Sequence, residues 1–503
     1  MSVSRRRFLA TSAAAGTLGG STPLVAGLGS VSQGQAVLPA DTVKLRPEIE
    51  PLVQLIENTD RSRLMQVVGE RIRGGLSYRE VLTALLLAGV RNVQPRPSVG
   101  FKFHAVLVVN SAHIASLAAP EQDRWLPILW ALDEFKSSQA RDVQEGNWTM
   151  STVVDSGVPS SENLRDTFRE SMKNWDVQLA DVSAAGVARH LGAGEALELF
   201  SAYAARDFRS IGHKPIFLAN AWRTLQTIGW QHSEPVLRSL AYAMLNHNGE
   251  PNPSQSDLAA DRSWRVNQEL QLQVREGWEL GRIDDGAVSE LVSLLHAGSP
   301  EDASRCVVEQ LNSGVSFRSI YDGLHLAAGE LLMRQAGIVS LHASTTTNAL
   351  HFLFDHSASP STRLALLLQN ASFLPQFRDA MKNRGAVNEA GIHDLKALDK
   401  NASVSLESIF SDVGKVRQRA GEQVLTWLEN GNSISSLTNA ARRLVFLKGN
   451  DSHDYKFSSA VLEDCMKLSP QHRNRFMAAS SWMLQGSSFP TNSLVDQIRE
   501  ALG

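Results

Sequence analysis

Two halves of this 503-residue chain carry the same short motifs in the same order. Gly75-Leu76-Ser77-Tyr78-Arg79 has a counterpart in Gly314-Val315-Ser316-Phe317-Arg318, 239 residues later. The stretch from Gly194 to Arg206 likewise resembles the stretch from Gly431 to Arg442. Self-similarity at a fixed displacement is typical of duplicated units that pack against each other. The repeat therefore favours a fold built from two related halves.

Histidines follow the same repeat. Eight of the fourteen histidines fall at equivalent places in the two halves. The four pairs, displaced by 238 or 240 residues, are His104 with His342, His113 with His351, His213 with His453, and His232 with His472. Asn110 and Asn348 form a further pair between the first two. Four histidine pairs in one order indicate a duplication rather than chance.

Apolar spacing predicts helices along nearly the whole chain. Residues Tyr78–Gly89 place apolar side chains at i, i+3, i+4 and i+7 and are expected to end as a helix at the glycine. Thr362–Leu368, Phe373–Met381 and Arg419–Leu428 show the same spacing, whereas strand-like alternation is scarce. We therefore predict an all-α fold, with two tandem, diverged helical units related by a pseudo-two-fold axis in a helical bundle or array.

The predicted boundaries follow from the repeat and from turn-forming residues. The segment Gly249–Ser254 is rich in proline, glycine and asparagine, which favours a connection between units. The predicted divisions are an export signal with a flexible N-terminus at 1–40, a first unit at 41–250, a connecting segment at 251–285 and a second unit at 286–503.

The first residues have the form of a twin-arginine export signal. Ser4-Arg5-Arg6-Arg7-Phe8-Leu9 is followed by a weakly apolar stretch of small residues from Ala10 to Gly29. Glycines and a proline in this stretch argue against a stable membrane anchor, which needs about 20 mostly apolar residues. We expect the twin-arginine translocase to export the chain to the periplasm or the extracellular space, with cleavage after Ala26 or Ala36.

Composition excludes several classes of protein. The net charge of −3 and the absence of a basic stripe argue against nucleic-acid binding. After the export signal, no run of 18 apolar residues predicts an integral membrane segment. Cys306 and Cys465 can pair in an oxidising compartment, but the favoured interpretation of both is small core residues. Motifs for dinucleotide, nucleoside triphosphate and serine-hydrolase sites are missing.

Helix geometry limits which histidines can share a site. His104 and His113 are nine residues apart, so they face opposite sides of a straight helix, and the same holds for His342 and His351. Prolines two or three residues after His213 and His232 place both at helix starts. The four histidines of one half therefore cannot form one site, but one or two drawn from each half can.

Other polar residues have two interpretations each. Arg238 lies four residues after Glu234, which favours an ion pair along one helix face. The threonine run Thr345–Thr347 follows His342 and either lines a cavity or bonds back to the preceding turn. A single buried histidine can likewise serve as a helix cap or core donor instead of a ligand.

From about residue 205 to the C-terminus, the chain resembles the questin oxidase-like proteins. The resemblance rests on His213-Lys214-Pro215, on His232 to Arg238, on Leu341–Thr345 with His351, and on Ser452–Lys456. It implies a helical enzyme that inserts oxygen into polyketide quinones by Baeyer–Villiger-type chemistry.

The leading prediction is an exported, His-dependent, metal-binding oxidoreductase that acts on a small organic molecule in a cavity between the halves. The predicted catalytic residues are His213, His232, His342, His351, His453 and Arg238. The predicted metal ligands are His104, His113, His213, His232, His342, His351, His453 and His472. Histidine sites suit iron, copper, zinc or manganese. The missing Glu-x-x-His motifs argue against a di-iron carboxylate site.

Two alternatives remain open. The first is a non-catalytic exported scaffold or binding protein whose histidines are structural. The second is a metal-dependent hydrolase or lyase, which would need a positioned general base in addition to the metal. No such base is evident in the sequence.

Overall fold

The chain is almost entirely helical. The computed structural model describes residues 42–95, 102–245, 251–253, 255–399 and 402–503. Within these ranges no β-strand forms, and two isolated bridges, Thr42 with Ser151 and Arg282 with Val315, are the only extended pairings. The predicted all-α class is confirmed. The export signal predicted at 1–40 lies outside the described residues.

Helices follow one another with short connections. Those of the first half are α1 Glu50–Asn58, α2 Arg61–Arg73, α3 Tyr78–Asn92, α4 His104–Leu107, α5 Val109–Ala118, α6 Leu126–Glu145, α7 Leu164–Asn174, α8 Val177–His190, α9 Ala193–Ala204, α10 His213–Ile228, α11 Ser233–Leu245 and α12 Ala259–Gln271. Those of the second half are α13 Asp285–Ala297, α14 Pro300–Asn312, α15 Phe317–Arg334, α16 Ile338–His356, α17 Pro360–Met381, α18 Leu406–Asp412, α19 Arg417–Glu429, α20 Ile434–Lys448, α21 Ser452–Lys467, α22 Pro470–Ser480 and α23 Leu494–Leu502.

Several helices begin at side chains that bond to the free amides of the first turn. Ser77 and Glu80 form a capping box at the start of α3. Ser299 and Asp302 form another at α14, where Pro300 occupies the first helical position. Such caps satisfy donors that have no partner within the helix. Local sequence therefore stabilises these helix boundaries through contacts within a single turn.

Two predicted helix limits are wrong. The first predicted helix does not end at Gly89 but continues to Asn92. A side chain at Gly89 would lie 3.1 Å from Val106, so this glycine permits close packing rather than ending the helix. Thr362–Leu368 and Phe373–Met381 belong to one helix, α17, which continues through Pro375.

One large apolar core joins the two halves of the sequence. It extends from Ile49 in the first half to Ala501 at the end of the chain. The last helix, α23, packs against α2, and α16 contacts both α10 and α21. The predicted connecting segment contributes α12, which packs against α17. The unit boundaries and the pseudo-two-fold axis stay predictions.

None of the described helices is both long enough and apolar enough to cross a membrane.

The contact between α2 and α23 generates a test of the packing. A methyl group at Gly69 would lie 2.4 Å from the carbonyl oxygen of Ala501, which is backbone and cannot rotate away. We expect Gly69→Ala to lower the free energy of unfolding by about 1–3 kcal/mol, measured by urea denaturation. Gly194→Ala is the matched control, because no heavy atom lies within 4 Å of that position in α9. It should stabilise the protein by about 0.5–1 kcal/mol. Equal effects of the two changes would contradict the close approach of α2 and α23.

Candidate metal centre

Four histidines from four helices meet in the interior. His104 begins α4, His213 begins α10, His342 lies in the second turn of α16, and His453 lies in the first turn of α21. Each is at most 6% exposed. Two come from each half of the sequence. Together they make up two of the predicted repeat pairs, His104 with His342 and His213 with His453.

A strained turn brings the start of α10 against α16. Ile211 and Gly212 both have positive φ, 42° and 79°, just before His213. A side chain at Gly212 would collide with Thr346, so only glycine allows this approach. A β-branched residue such as Ile211 rarely adopts positive φ, and such strain is found mainly at functional sites. The turn sets His213 beside His342.

The imidazole nitrogens converge on one small region. Nε2 of His213 lies 2.9 Å from Nε2 of His104 and 3.0 Å from Nε2 of His342. Ligand nitrogens of His104, His342 and His453 all lie within 4.8 Å of one another. Two nitrogens bound to one ion at about 2.1 Å are about 3 Å apart when they subtend a right angle. A buried triad that could hold a metal is therefore present, with His213 as a fourth neighbour.

The opposite ring nitrogens are fixed by hydrogen bonds. Nδ1 of His213 donates to the carbonyl of Ser210 at 2.8 Å, and Nδ1 of His342 donates to the carbonyl of Ile338 at 2.6 Å. Because a carbonyl only accepts, both rings carry their proton on Nδ1. In the neutral rings, the two Nε2 atoms that face each other at 3.0 Å are then both acceptors.

His453 is oriented in the same way. Its Nδ1 lies 2.6 Å from Oδ1 of Asp451, which also caps α21. A carboxylate or carbonyl behind the distal ring nitrogen is the usual support of a metal-bound histidine. Burial raises the pKa of Asp451, but the hydrogen bonds from His453 prevail and lower it, so the carboxyl stays ionised as an acceptor.

Two acceptors that face each other repel unless a donor or a cation lies beside them. Nε2 of His104, 2.9 Å from Nε2 of His213, can donate to one of the two acceptors, whereas a cation can bind both. Burial lowers the pKa of His104, His213 and His342 well below the ordinary value, and the neighbouring Lys456 acts in the same direction. The imidazolium form is therefore disfavoured at neutral pH. The donor set fits a transition-metal ion, whereas a purely structural role would leave the facing lone pairs opposed.

Lys456, the last residue of the Ser452–Lys456 motif, is not among the predicted site residues. It lies one turn after His453 on α21, and its Nζ is buried with no hydrogen-bond partner among the described residues. Burial lowers its pKa to about 7. A neutral amine is therefore accessible near neutral pH, and it would not repel a metal cation.

The other predicted site residues lie apart from this cluster. His113 lies 3.0 Å from the Tyr78 hydroxyl. His232 ends a short turn before α11. His472, on α22, lies 3.2 Å from Asp285. Arg238 is fully buried but pairs with Asp181 rather than Glu234, which instead pairs with Arg189. The predicted Arg238–Glu234 pair is wrong because α11 turns Arg238 toward α8.

His351 belongs to a second buried cluster. Its Nδ1 lies 2.9 Å from Nε2 of His325, and its ring stacks on Tyr321 at 3.7 Å. The other nitrogen of His325 lies 3.6 Å from Asp464. Burial lowers the pKa of His325 to about 3 and raises that of Asp464 to about 8. His325 has no counterpart in the other half, which is why the repeat did not identify it.

Comparison with known proteins identifies no relative: no family model, no curated protein and no solved structure matches the chain. The resemblance to questin oxidase-like proteins stays a prediction.

The buried carboxyl of Asp464 generates a prediction for the pH dependence of stability. Its folded pKa of about 8 exceeds its ordinary value of 3.8, so between pH 5 and 7 the folded state holds a proton that the unfolded state has lost. This group stabilises the fold fully below about pH 3.8, and its contribution falls as pH rises toward 8. The loss is about 1.4 kcal/mol per pH unit.

Asp464→Asn should remove this contribution. The free energy of unfolding of the variant minus that of wild type should therefore increase from pH 5 to pH 7. Urea denaturation at pH 5, 6 and 7 measures the difference. Asp166→Asn, at a carboxyl that is 90% exposed, is the control and should parallel wild type. Parallel curves for wild type and Asp464→Asn would show that the carboxyl is ionised in the folded protein.

Proposed function

We propose that the protein is a metal-binding oxidoreductase in which His104, His213, His342 and His453 hold one transition-metal ion. The observation that carries the proposal is the facing pair of Nε2 acceptors on His213 and His342, 3.0 Å apart. Hydrogen bonds from Nδ1 to carbonyl groups fix the tautomers of both rings, so both Nε2 atoms are acceptors. A bound cation would satisfy both of these atoms.

The ligand set supports redox chemistry. All four nitrogens come from neutral imidazoles, which suit iron and copper as well as zinc and manganese. No carboxylate joins the triad among the described residues. A bound iron or copper ion would supply electron transfer or oxygen activation. Lys456 can take up or release a proton beside it near neutral pH. Oxygen insertion into an organic substrate, which the family resemblance implies, is part of this proposal.

Lys456 also favours a second candidate, a metal-dependent hydrolase or lyase. Such an enzyme needs a general base near the metal-bound water, and an amine with a pKa of about 7 suits that role. Metal identity separates the two candidates. Iron or copper would support the oxidoreductase, and zinc would support the hydrolase or lyase.

Metal content tests the site itself. We expect protein purified after native export to carry about one ion per chain, measured by elemental mass spectrometry. Alanine in place of His104, His213, His342 or His453 should lower the affinity at least about 100-fold and leave the purified protein nearly free of metal.

The matched controls are the histidines that the repeat also predicted as ligands but that lie elsewhere. Alanine variants of His113, His351 and His472 should retain the metal. Metal-free wild-type protein, or equal metal content in both sets of variants, would overturn the proposal and favour a structural role for the histidines.

Redox cycling tests the chemistry. The loaded protein should change its absorption or electron paramagnetic resonance spectrum on reduction with dithionite and recover it in air, because the bound ion gains and loses an electron. His342→Ala given the same metal should show the spectrum of the free ion. A bound ion whose spectrum does not respond to either treatment would reject the oxidoreductase and leave the hydrolase or lyase.

A further inference from the structure

Three of the helices that carry the clustered histidines, α10, α16 and α21, continue beyond them, and α5 follows α4 after the break at Val108. Six or seven residues after each histidine, side chains on these helices line one shared cavity, the inner cavity. The members of this ring are Asn110, Asn220, Asn348, Ala349, Ser459 and Ala460. With a rise of about 1.5 Å per residue, the ring lies about 10 Å beyond the histidines. Lys456 and Thr345 line the same cavity on the histidine side.

An ion pair closes the far side of this cavity. Arg223 and Glu463 lie ten residues after His213 and His453, and Nη2 of Arg223 is 2.6 Å from Oε2 of Glu463. Asn348 donates to the same carboxylate oxygen at 2.9 Å, and the guanidinium lies 4.1 Å from the centre of the Phe352 ring. Nη1 of Arg223 also donates to Oδ1 of Asn348 at 3.2 Å and to Oδ1 of Asn220 at 3.3 Å, so four residues hold Arg223 across the path.

Beyond the ion pair lies an outer cavity of about 420 Å³ that opens to the surface. Arg223 and Glu463 line both cavities, so they form the partition between them. Leu117 and Lys467 lie at the outer end, and Leu117 is 65% exposed. The outer cavity, the ion pair and the asparagine ring thus follow one another toward the histidines.

Size and chemistry select what can follow this path. The inner cavity has room for contents of only about 10 Å³, close to the space that one water molecule occupies. Its wall presents amide and hydroxyl groups, which bind polar molecules by hydrogen bonds. An aromatic ring does not fit in this cavity.

We propose that this series of cavities is the access route to the metal, and that it admits polar reactants of one to three non-hydrogen atoms. Hydrogen peroxide, superoxide and water share this size and polarity. Arg223 and Glu463 act as positioning and selecting residues. The inference rests on the proposed function, because it assigns the small co-reactant of the same metal; an organic substrate would reach the metal by a different path.

Substitutions that narrow or widen the route test it. Ala460→Leu fills the ring without removing a hydrogen bond, and Arg223→Ala opens the partition. The controls are Ala188→Leu on α8 and Arg165→Ala, which removes a surface ion pair with Glu195. Azide, with three atoms, and imidazole, with five non-hydrogen atoms, are the probes. Stopped-flow absorption of the metal-loaded protein, with Co²⁺ replacing a colourless ion, follows their binding.

We expect azide to bind wild type and both controls at the same rate. Its binding should be at least about tenfold slower than wild type in Ala460→Leu and faster than wild type in Arg223→Ala. Because Arg223 also lines the inner cavity, its removal enlarges that cavity, so imidazole should bind only Arg223→Ala. Addition of hydrogen peroxide, or of a superoxide source, identifies which of them reacts with the metal; reaction with neither leaves water as the reactant.

Metal content, measured on every variant, separates the two proposals. A wild-type protein without metal would overturn the proposed function. A metal-loaded protein in which azide binds all variants at one rate, or imidazole binds wild type as readily as azide, would overturn the route. If Ala460→Leu fails to fold, Arg223→Ala alone decides the question.

Discussion

The interior of this protein is organised around four buried imidazoles whose lowered pKa favours the neutral ring, and hydrogen bonds to Nδ1 orient three of them. A histidine in this state is stable only when both ring nitrogens have partners. Carbonyl groups of Ser210 and Ile338 and the Asp451 carboxylate satisfy the outer nitrogens. The Nε2 atoms face one another, so the partner of each depends on the protonation state of its neighbours. The helix starts, the strained turn at Gly212 and the low proton affinity of the cluster all follow from this arrangement.

The sequence predicted the helices well because their limits are set locally. Capping residues such as Ser77 and Ser299 act within one turn, so their effect is visible in the chain. Gly89 was misread because glycine ends some helices and permits close contacts in others, and only the neighbouring helix decides which. Pro375 does not end α17, which continues to Met381 within the packed interior.

The site was predicted in part. The repeat identified all four clustered histidines but also four others, since displacement along the chain does not show which face of a helix is buried against which neighbour. The break at Val108, which separates His104 from His113, is a feature of packing. Lys456, although part of the Ser452–Lys456 motif, is not among the predicted site residues, because lysines are usually exposed. Arg223 and Glu463 lie 240 residues apart, the same displacement as two of the histidine pairs.

The orientation of the helices has an electronic consequence for any ion at the centre. His213 and His453 sit in the first turns of α10 and α21, where the aligned peptide dipoles place partial positive charge. Neutral imidazoles add no negative charge to offset the ion. A bound redox metal would therefore be better stabilised in its lower oxidation state, which raises its reduction potential. Such a centre accepts electrons more readily than it gives them up.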